Sequence, residues 1–225
     1  MIPIWLNVTG KHVLVIGLGP VGQRRALLFQ REGAVVIGVD PLPRIQGQEW
    51  GELIRNGLEL QSQPYHVSIF DELAQIGIRP QLVLACANQA VNSQIVTDCR
   101  QKQIWVASST SHEDSPADFQ LGALGRGEAI AVAVHSEQGS PGLSATIRDE
   151  IGESLMPAAD RLARLAKIWR PRILNEIDDP AERQRLIELF ADRSILKSEI
   201  QQPGSGTELI LTELQNASDL FRKNQ

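Results

Sequence analysis

The chain has 225 residues, 42% of them hydrophobic and 22% charged, with a formal net charge of -5. No apolar run approaches the roughly 18–20 residues that a bilayer span needs. Two cysteines exclude a disulfide framework, and the acidic balance excludes wholesale nucleic-acid binding. Residues 1–113 carry nine Lys/Arg and nine Asp/Glu, so the whole acidic excess lies in 114–225. The opening Met1-Ile2-Pro3-Ile4-Trp5-Leu6 has no basic n-region, and a cytoplasmic protein is expected.

In chain order, the continuous apolar run over 11–16 reads as a strand buried on both faces and ends in glycine. Gln23–Glu32 reads as a helix closed by Gly33, and Val35–Val39 as a second buried strand ending at Asp40-Pro41. A helix over 45–57, a short strand over 58–63, a buried strand over 82–87, a helix over 91–101 and a strand over 104–107 follow. Strand–helix alternation at this spacing predicts a parallel sheet covered on both faces. After about residue 113 the pattern changes. Two strands are expected over 119–124 and 130–135, joined by a turn at Gly125-Arg126-Gly127. From Leu143 the spacing is helical, and Leu155, Ala158, Ala159, Leu162, Leu165, Ala166 and Trp169 form one apolar stripe. Asp179-Pro180-Ala181-Glu182 starts a new helix, and Pro203-Gly204-Ser205-Gly206 reads as a linker before the last one. The fold class is therefore α/β: a Rossmann-like parallel-sheet domain (1–113), a small segment (114–142) and a C-terminal helical domain (143–225).

The strongest motif is Gly17-Leu18-Gly19-Pro20-Val21-Gly22, placed after a buried strand and opening a helix. In such a G-x-G-x-x-G the first glycine makes the tight turn, the second admits a pyrophosphate to the backbone, and the third lets helix and strand pack closely. The helix start offers free N–H groups and the positive end of its dipole to the phosphates. Asp40 lies 18 residues beyond Gly22, where a carboxylate accepts from both ribose hydroxyls and repels a 2′-phosphate. The expected cofactor is NAD, held by Gly17, Gly19, Pro20, Val21, Gly22, Asp40 and Pro41. The plainer alternatives are a glycine turn that binds another nucleotide or none, and an Asp40 that only caps a turn. Asn88, at a strand end that opens a helix, either faces the cofactor or caps that helix; the two roles are compatible. Ser136 and Ser140 flank a glycine turn before a helix, which suits an anion, though Ser140 with Pro141 also reads as a plain helix start. Arg161, Arg164 and Lys167 recur every three residues, as a solvated face or as a basic wall for a polyanion. The four histidines show no metal-ligand spacing, and no resident metal is expected.

Pro3-Ile4-Trp5-Leu6, the glycine motif, Ala85–Asn92, Arg126-Gly127, and Ser136–Pro141 followed by Ile147-Arg148 stand in the order seen in one family. The chain resembles the N-terminal module of siroheme synthases. That family comprises precorrin-2 dehydrogenases, some of which are also sirohydrochlorin ferrochelatases. The resemblance covers almost the whole chain, and its most specific parts are Ser140, Pro141 and Leu143 and the Pro-Ile-x-Leu start. It implies an NAD-binding domain, a central dimerisation segment, a homodimer with its cleft near the subunit interface, and no membrane. It also implies oxidation of a tetrapyrrole, precorrin-2, to sirohydrochlorin, with Ser136, Ser140 and Arg126 on the substrate.

Two departures stand out. The family places an aspartate tied to catalysis just after the strand equivalent to 104–109; here the run reads Ala107-Ser108-Ser109-Thr110, with Thr110 at that position. A threonine is no carboxylate base, so Glu113 or Asp114 in the following, longer loop, Asp114 the better substitute, is expected to reach the cleft, or hydride transfer needs no such group; the plainer reading of His112-Glu113-Asp114 is a solvated turn. Iron insertion needs a group that deprotonates or coordinates, and it is expected to be inefficient. The Ala85–Asn92 segment is also one residue shorter than the family's acidic version. Thr110 also keeps open a second reading, a weakened relative that binds NAD or a tetrapyrrole for sensing or delivery. An NAD-linked regulatory domain of ion transport is the third reading, against which the helical tail and Ser140-Pro141 count.

Overall fold

A computed structural model describes residues 2–110, 117–137 and 139–217. The chain divides into two compact units, Met1–Leu121 and Gly122–Gln225.

The first unit is built on five parallel strands, β1 (His12–Ile16), β2 (Val35–Val39), β3 (Glu59–Gln61), β4 (Leu82–Ala85) and β5 (Trp105–Ser108). Their order across the sheet is β3-β2-β1-β4-β5. Helices α1 (Pro20–Arg31), α2 (Gln48–Arg55), α3 (Ile69–Gln75) and α4 (Gln89–Gln101) connect them. Because side chains alternate along a strand, β1 feeds two cores at once. Val13 and Val15 join Leu27 of α1 and Leu53 of α2 on one face. Leu14 and Ile16 join Phe70 and Leu73 of α3 and Ile95 and Cys99 of α4 on the other. This double burial is why the strands read as unbroken apolar runs. The expected parallel sheet is present, and the fold is Rossmann-like. Helix α3 goes beyond the elements anticipated from sequence.

The second unit opens with an antiparallel hairpin, β6 (Ala123–Arg126) and β7 (Ala131–Val134), in which Leu124 faces Ala133 and Gly125 faces Val132. The anticipated first strand and turn are displaced toward the C-terminus: the strand starts at Ala123, and the turn falls at 127–130 rather than 125–127. The cause lies in the split apolar run, since Phe119 and Leu121 pack on the core of the first unit. Helices α5 (Pro141–Ser154), α6 (Met156–Glu176), α7 (Pro180–Glu188), α8 (Arg193–Gln201) and α9 (Ser205–Asn216) complete the unit. Their core joins Leu162 and Ile173 of α6, Leu186 of α7, Ile195 of α8, and Ile210 and Leu214 of α9. In the anticipated stripe Ala158 and Leu162 are buried, whereas Leu155 is exposed. Asp179 caps α7 by accepting from Ala181 N–H, as its sequence predicts. The expected linker is short, because α9 already starts at Ser205 and Gly206 packs on Ile195.

Candidate functional site

The carboxyl ends of β1, β2, β4 and β5 carry the candidate site of the first unit, and β1 is where the loop begins. Gly17 takes φ +91° and donates its N–H to the Val39 carbonyl at 2.9 Å. A Cβ there would lie 2.6 Å from the backbone carbon and oxygen of Cys86, so only glycine fits. At Gly22 a Cβ would overlap the carbonyl oxygen of Gly17, which is the close packing that the third glycine permits. Gly19 differs. It is the N-cap of α1, and nothing lies within 4 Å of the place its Cβ would take. Any side chain would fill that opening, directly before a helix start whose backbone N–H groups are available to an anion. Pro20 occupies the first helical position, where its missing N–H does no harm, and Val21 is exposed.

Asp40 stands at the end of β2, half-buried, and binds the loop from the side. Its Oδ2 accepts from Leu18 N–H at 2.6 Å, and its Oδ1 accepts from Leu42 N–H at 2.8 Å. Each carboxylate oxygen has a second lone pair, so the same group can also accept from a hydroxyl. Pro41 follows, exposed. Gln23 reaches the same loop from inside α1. It is buried, and its Nε2 donates to the carbonyl of Leu18 at 2.7 Å and to that of Arg44 at 2.8 Å. Beside them a cavity of about 410 Å³ is lined by Pro20, Gln23, Arg44, Gln46, Gly47 and Glu49.

Across the sheet, Asn88 caps α4, its side chain accepting from Val91 N–H at 3.1 Å. Asn92, one turn further, is fully buried. Its Oδ1 accepts from Ala87 N–H at 2.9 Å. Its Nδ2 lies 3.1 Å from the Ala87 carbonyl and 3.2 Å from both Ser109 Oγ and Thr110 Oγ1. Thr110 Oγ1 also lies 3.2 Å from Ser108 Oγ, and Thr110 donates its own N–H to that oxygen. The position where a carboxylate is expected therefore carries a hydroxyl that shares hydrogen bonds with Asn92 and Ser108. Burial pushes the Cys86 thiol up, opposed by the nearby Arg25 guanidinium. Gln23 and Asn92 were not singled out as site residues from sequence. The available signal was a polar side chain at a position that helical spacing places on the buried face.

The remaining expected residues lie in the second unit or outside the described residues. Arg126 ends β6 and is exposed. Ser136 Oγ accepts from Ser140 N–H at 3.2 Å, and Ser140 precedes α5 without a side-chain cap bond. Asp114 lies outside the described residues. The basic row on α6 is largely used within its own unit: Arg161 pairs with Glu199 and Arg164 with Glu128. A free basic wall is thus not what those residues form. Asp160, also on α6, accepts from the N–H groups of Glu128, Ala129 and Ile130 at 2.8–2.9 Å and so holds the hairpin turn. Among the described residues no three His, Cys, Asp or Glu side chains gather as a metal site, and no helix is long and apolar enough to cross a membrane.

Residues 4–123 match the family described as "Putative NAD(P)-binding". The chain is similar to the siroheme synthase of Acinetobacter baylyi, 25% identical over 81% of this chain and 38% of that protein. It is also similar to the "Putative precorrin-2 dehydrogenase" of Methanocaldococcus jannaschii, 24% identical over 90% of this chain and 95% of that protein. A solved structure titled "SirC, precorrin-2 dehydrogenase" superposes with a TM-score of 0.68 at 20% identity, covering 97% of this chain and 99% of that one. The chain spans less than half the length of the siroheme synthases it matches.

Proposed function

We propose, from the premise that the chain belongs to this NAD(P)-binding family, that it oxidises precorrin-2 to sirohydrochlorin with NAD+ as the electron acceptor. The observation that carries this reading is the opening at Gly19, which a side chain would fill, set before a helix start and flanked by Asp40. Its similarity to the "Putative precorrin-2 dehydrogenase" of Methanocaldococcus jannaschii over nearly the full length of both chains supports the substrate. Bound NAD+ supplies the hydride acceptor. Gly17, Gly19, Pro20, Val21 and Gly22 form the pyrophosphate cradle, Asp40 with Pro41 takes the adenosine ribose, and Asn88 borders the far side. Arg126, Ser136 and Ser140 bind the acidic tetrapyrrole, and Asp114 takes the proton. Positioning carries the oxidation, because Thr110 supplies no carboxylate. Iron insertion into the product is slow for the same reason. Residues 114–142 form the dimerisation segment of a cytoplasmic homodimer.

The test is to mix the protein with precorrin-2 and NAD+ and to follow the near-ultraviolet absorbance of NADH. Formation of NADH and sirohydrochlorin together is expected; no NADH despite binding of both ligands would overturn the dehydrogenase. That second outcome is the signature of a sensor or carrier, a reading favoured by the hydroxyl at Thr110.

A further inference from the structure

The loops at the carboxyl edge of the first unit are tied in pairs, and each pair is tied by a buried neutral amide. Gln23 joins the glycine loop, through the Leu18 carbonyl, to the segment after β2, through the Arg44 carbonyl. Asn92 joins the end of β4, through both backbone groups of Ala87, to the end of β5, through Ser109 and Thr110. The two ties lie on opposite sides of the point where the strand order reverses, between β1 and β4. In a doubly wound sheet a dinucleotide lies across that crevice, one mononucleotide on each side. Asp40 marks the β2 side as the adenosine half, so the β4–β5 side receives the other half, where oxidation takes place. A buried amide also has the right chemistry for these junctions. It offers two N–H donors and a carbonyl acceptor without a charge to desolvate.

We propose that these two amides divide the labour of the site, Gln23 positioning the adenosine half and Asn92 positioning the half that reacts. The proposal rests on the dehydrogenase reading. Neither residue touches the reacting atoms; both are positioning residues. Loss of Gln23 loosens the glycine loop and weakens binding of the whole cofactor. Loss of Asn92 leaves the cradle intact but frees Ala87, Ser109 and Thr110, so bound cofactor and substrate meet in poorer alignment.

The experiment compares the native protein with Gln23→Met, Asn92→Ala and Asn92→Asp. It measures NAD+ affinity by calorimetry, the rate of NADH formation at saturating NAD+, and hydrogen exchange of the Ala87 amide below the melting transition. Gln23→Met is expected to weaken NAD+ binding about tenfold or more while the saturated rate stays within about threefold. Asn92→Ala is expected to do the reverse: affinity within about threefold, the saturated rate down about tenfold to a hundredfold, and Ala87 exchange faster. Asn92→Asp keeps an acceptor for Ala87 N–H, so it restores that protection and part of the rate. A parallel loss of affinity and rate in both clamps, or unchanged Ala87 exchange in Asn92→Ala, overturns the division. If the native protein binds NAD+ but yields no NADH, the dehydrogenase reading falls, while the affinity and exchange measurements still decide whether the ties act separately.

Discussion

The buried polar groups of the two units solve opposite problems. At the loops of the first unit they include the amides of Gln23 and Asn92, with the carboxylate of Asp98 further along α4, whereas in the second unit they include the carboxylates of Asp160 and Glu199 and the hydroxyl of Ser144. The backbone around each explains the choice. Gln23 faces two carbonyls and needs donors, and Asn92 faces a carbonyl, an N–H and two hydroxyls. Asp160 meets three N–H groups at the hairpin turn; Glu199 accepts from Gly204 N–H at 2.8 Å and Thr207 N–H at 2.9 Å, besides Arg161. A carboxylate only accepts, so it suits a place where N–H groups converge. Buried amides therefore tie the candidate cofactor edge, beside the half-buried carboxylate of Asp40, and buried carboxylates tie the helical unit.

Removing a charged tie is expected to give the largest effect. Glu199→Ala removes the carboxylate partner of Arg161 and leaves two backbone N–H groups unsatisfied, for a loss of roughly 2–4 kcal/mol in the second unit. Chemical denaturation followed alongside NAD+ titration checks this, and an equal loss of NAD+ affinity would erase the distinction between the units. Next come two glycine substitutions that look alike and should behave differently. Gly17→Ala forces a Cβ against the Cys86 carbonyl at positive φ and is expected to lower stability by about 1–3 kcal/mol. Gly19→Ala meets open space, so the melting temperature is expected to hold while NAD+ affinity falls about tenfold or more. A smaller effect is expected at Asp40→Ser, which keeps a short acceptor but removes the charge. Preference for NAD+ over NADP+ should shrink by several-fold in parallel titrations.

Acid offers the mildest discrimination. In Asp160 burial raises the pKa, but the bonds from Ala129, Glu128 and Ile130 and the charge of Arg164 outweigh it; the carboxyl lies below its ordinary 3.8. In Glu199 burial likewise raises it, and Arg161 with the N–H groups of Gly204 and Thr207 brings it below the ordinary 4.5. Because both folded values are depressed, the stabilisation is complete above those ordinary values and is lost as pH falls through the folded ones. Circular dichroism of the helices is expected to fade below about pH 4, with Gln23→Met and Asn92→Ala leaving that midpoint unchanged. A midpoint that moves with either amide would join the two systems.

Much of the first unit was legible because its strands are runs such as Val13–Ile16 and Leu82–Ala85, buried on both faces and punctuated by glycine or proline. The glycine loop was legible because three fixed spacings encode one backbone shape. Helix α3 was not, since seven residues give too little periodicity and Ser68 makes no side-chain cap bond. The hairpin was misplaced because Phe119 and Leu121 serve one core while the following residues form a strand elsewhere. Its turn is fixed by Asp160, some thirty residues away along the chain, and no local pattern reports such a partner. Gln23 and Asn92 escaped notice for a related reason. Backbone carbonyls and N–H groups form much of what they bind, and every residue has those.

Pro20 carries a consequence of a different kind. A pyrrolidine ring at the first position of α1 allows that residue one φ, Asp40 braces Leu18, and Gln23 anchors the loop from below. Most of the conformational entropy that a glycine-rich loop would lose on meeting a ligand has already been surrendered during folding. Phosphate meets a mould rather than a chain waiting to be shaped.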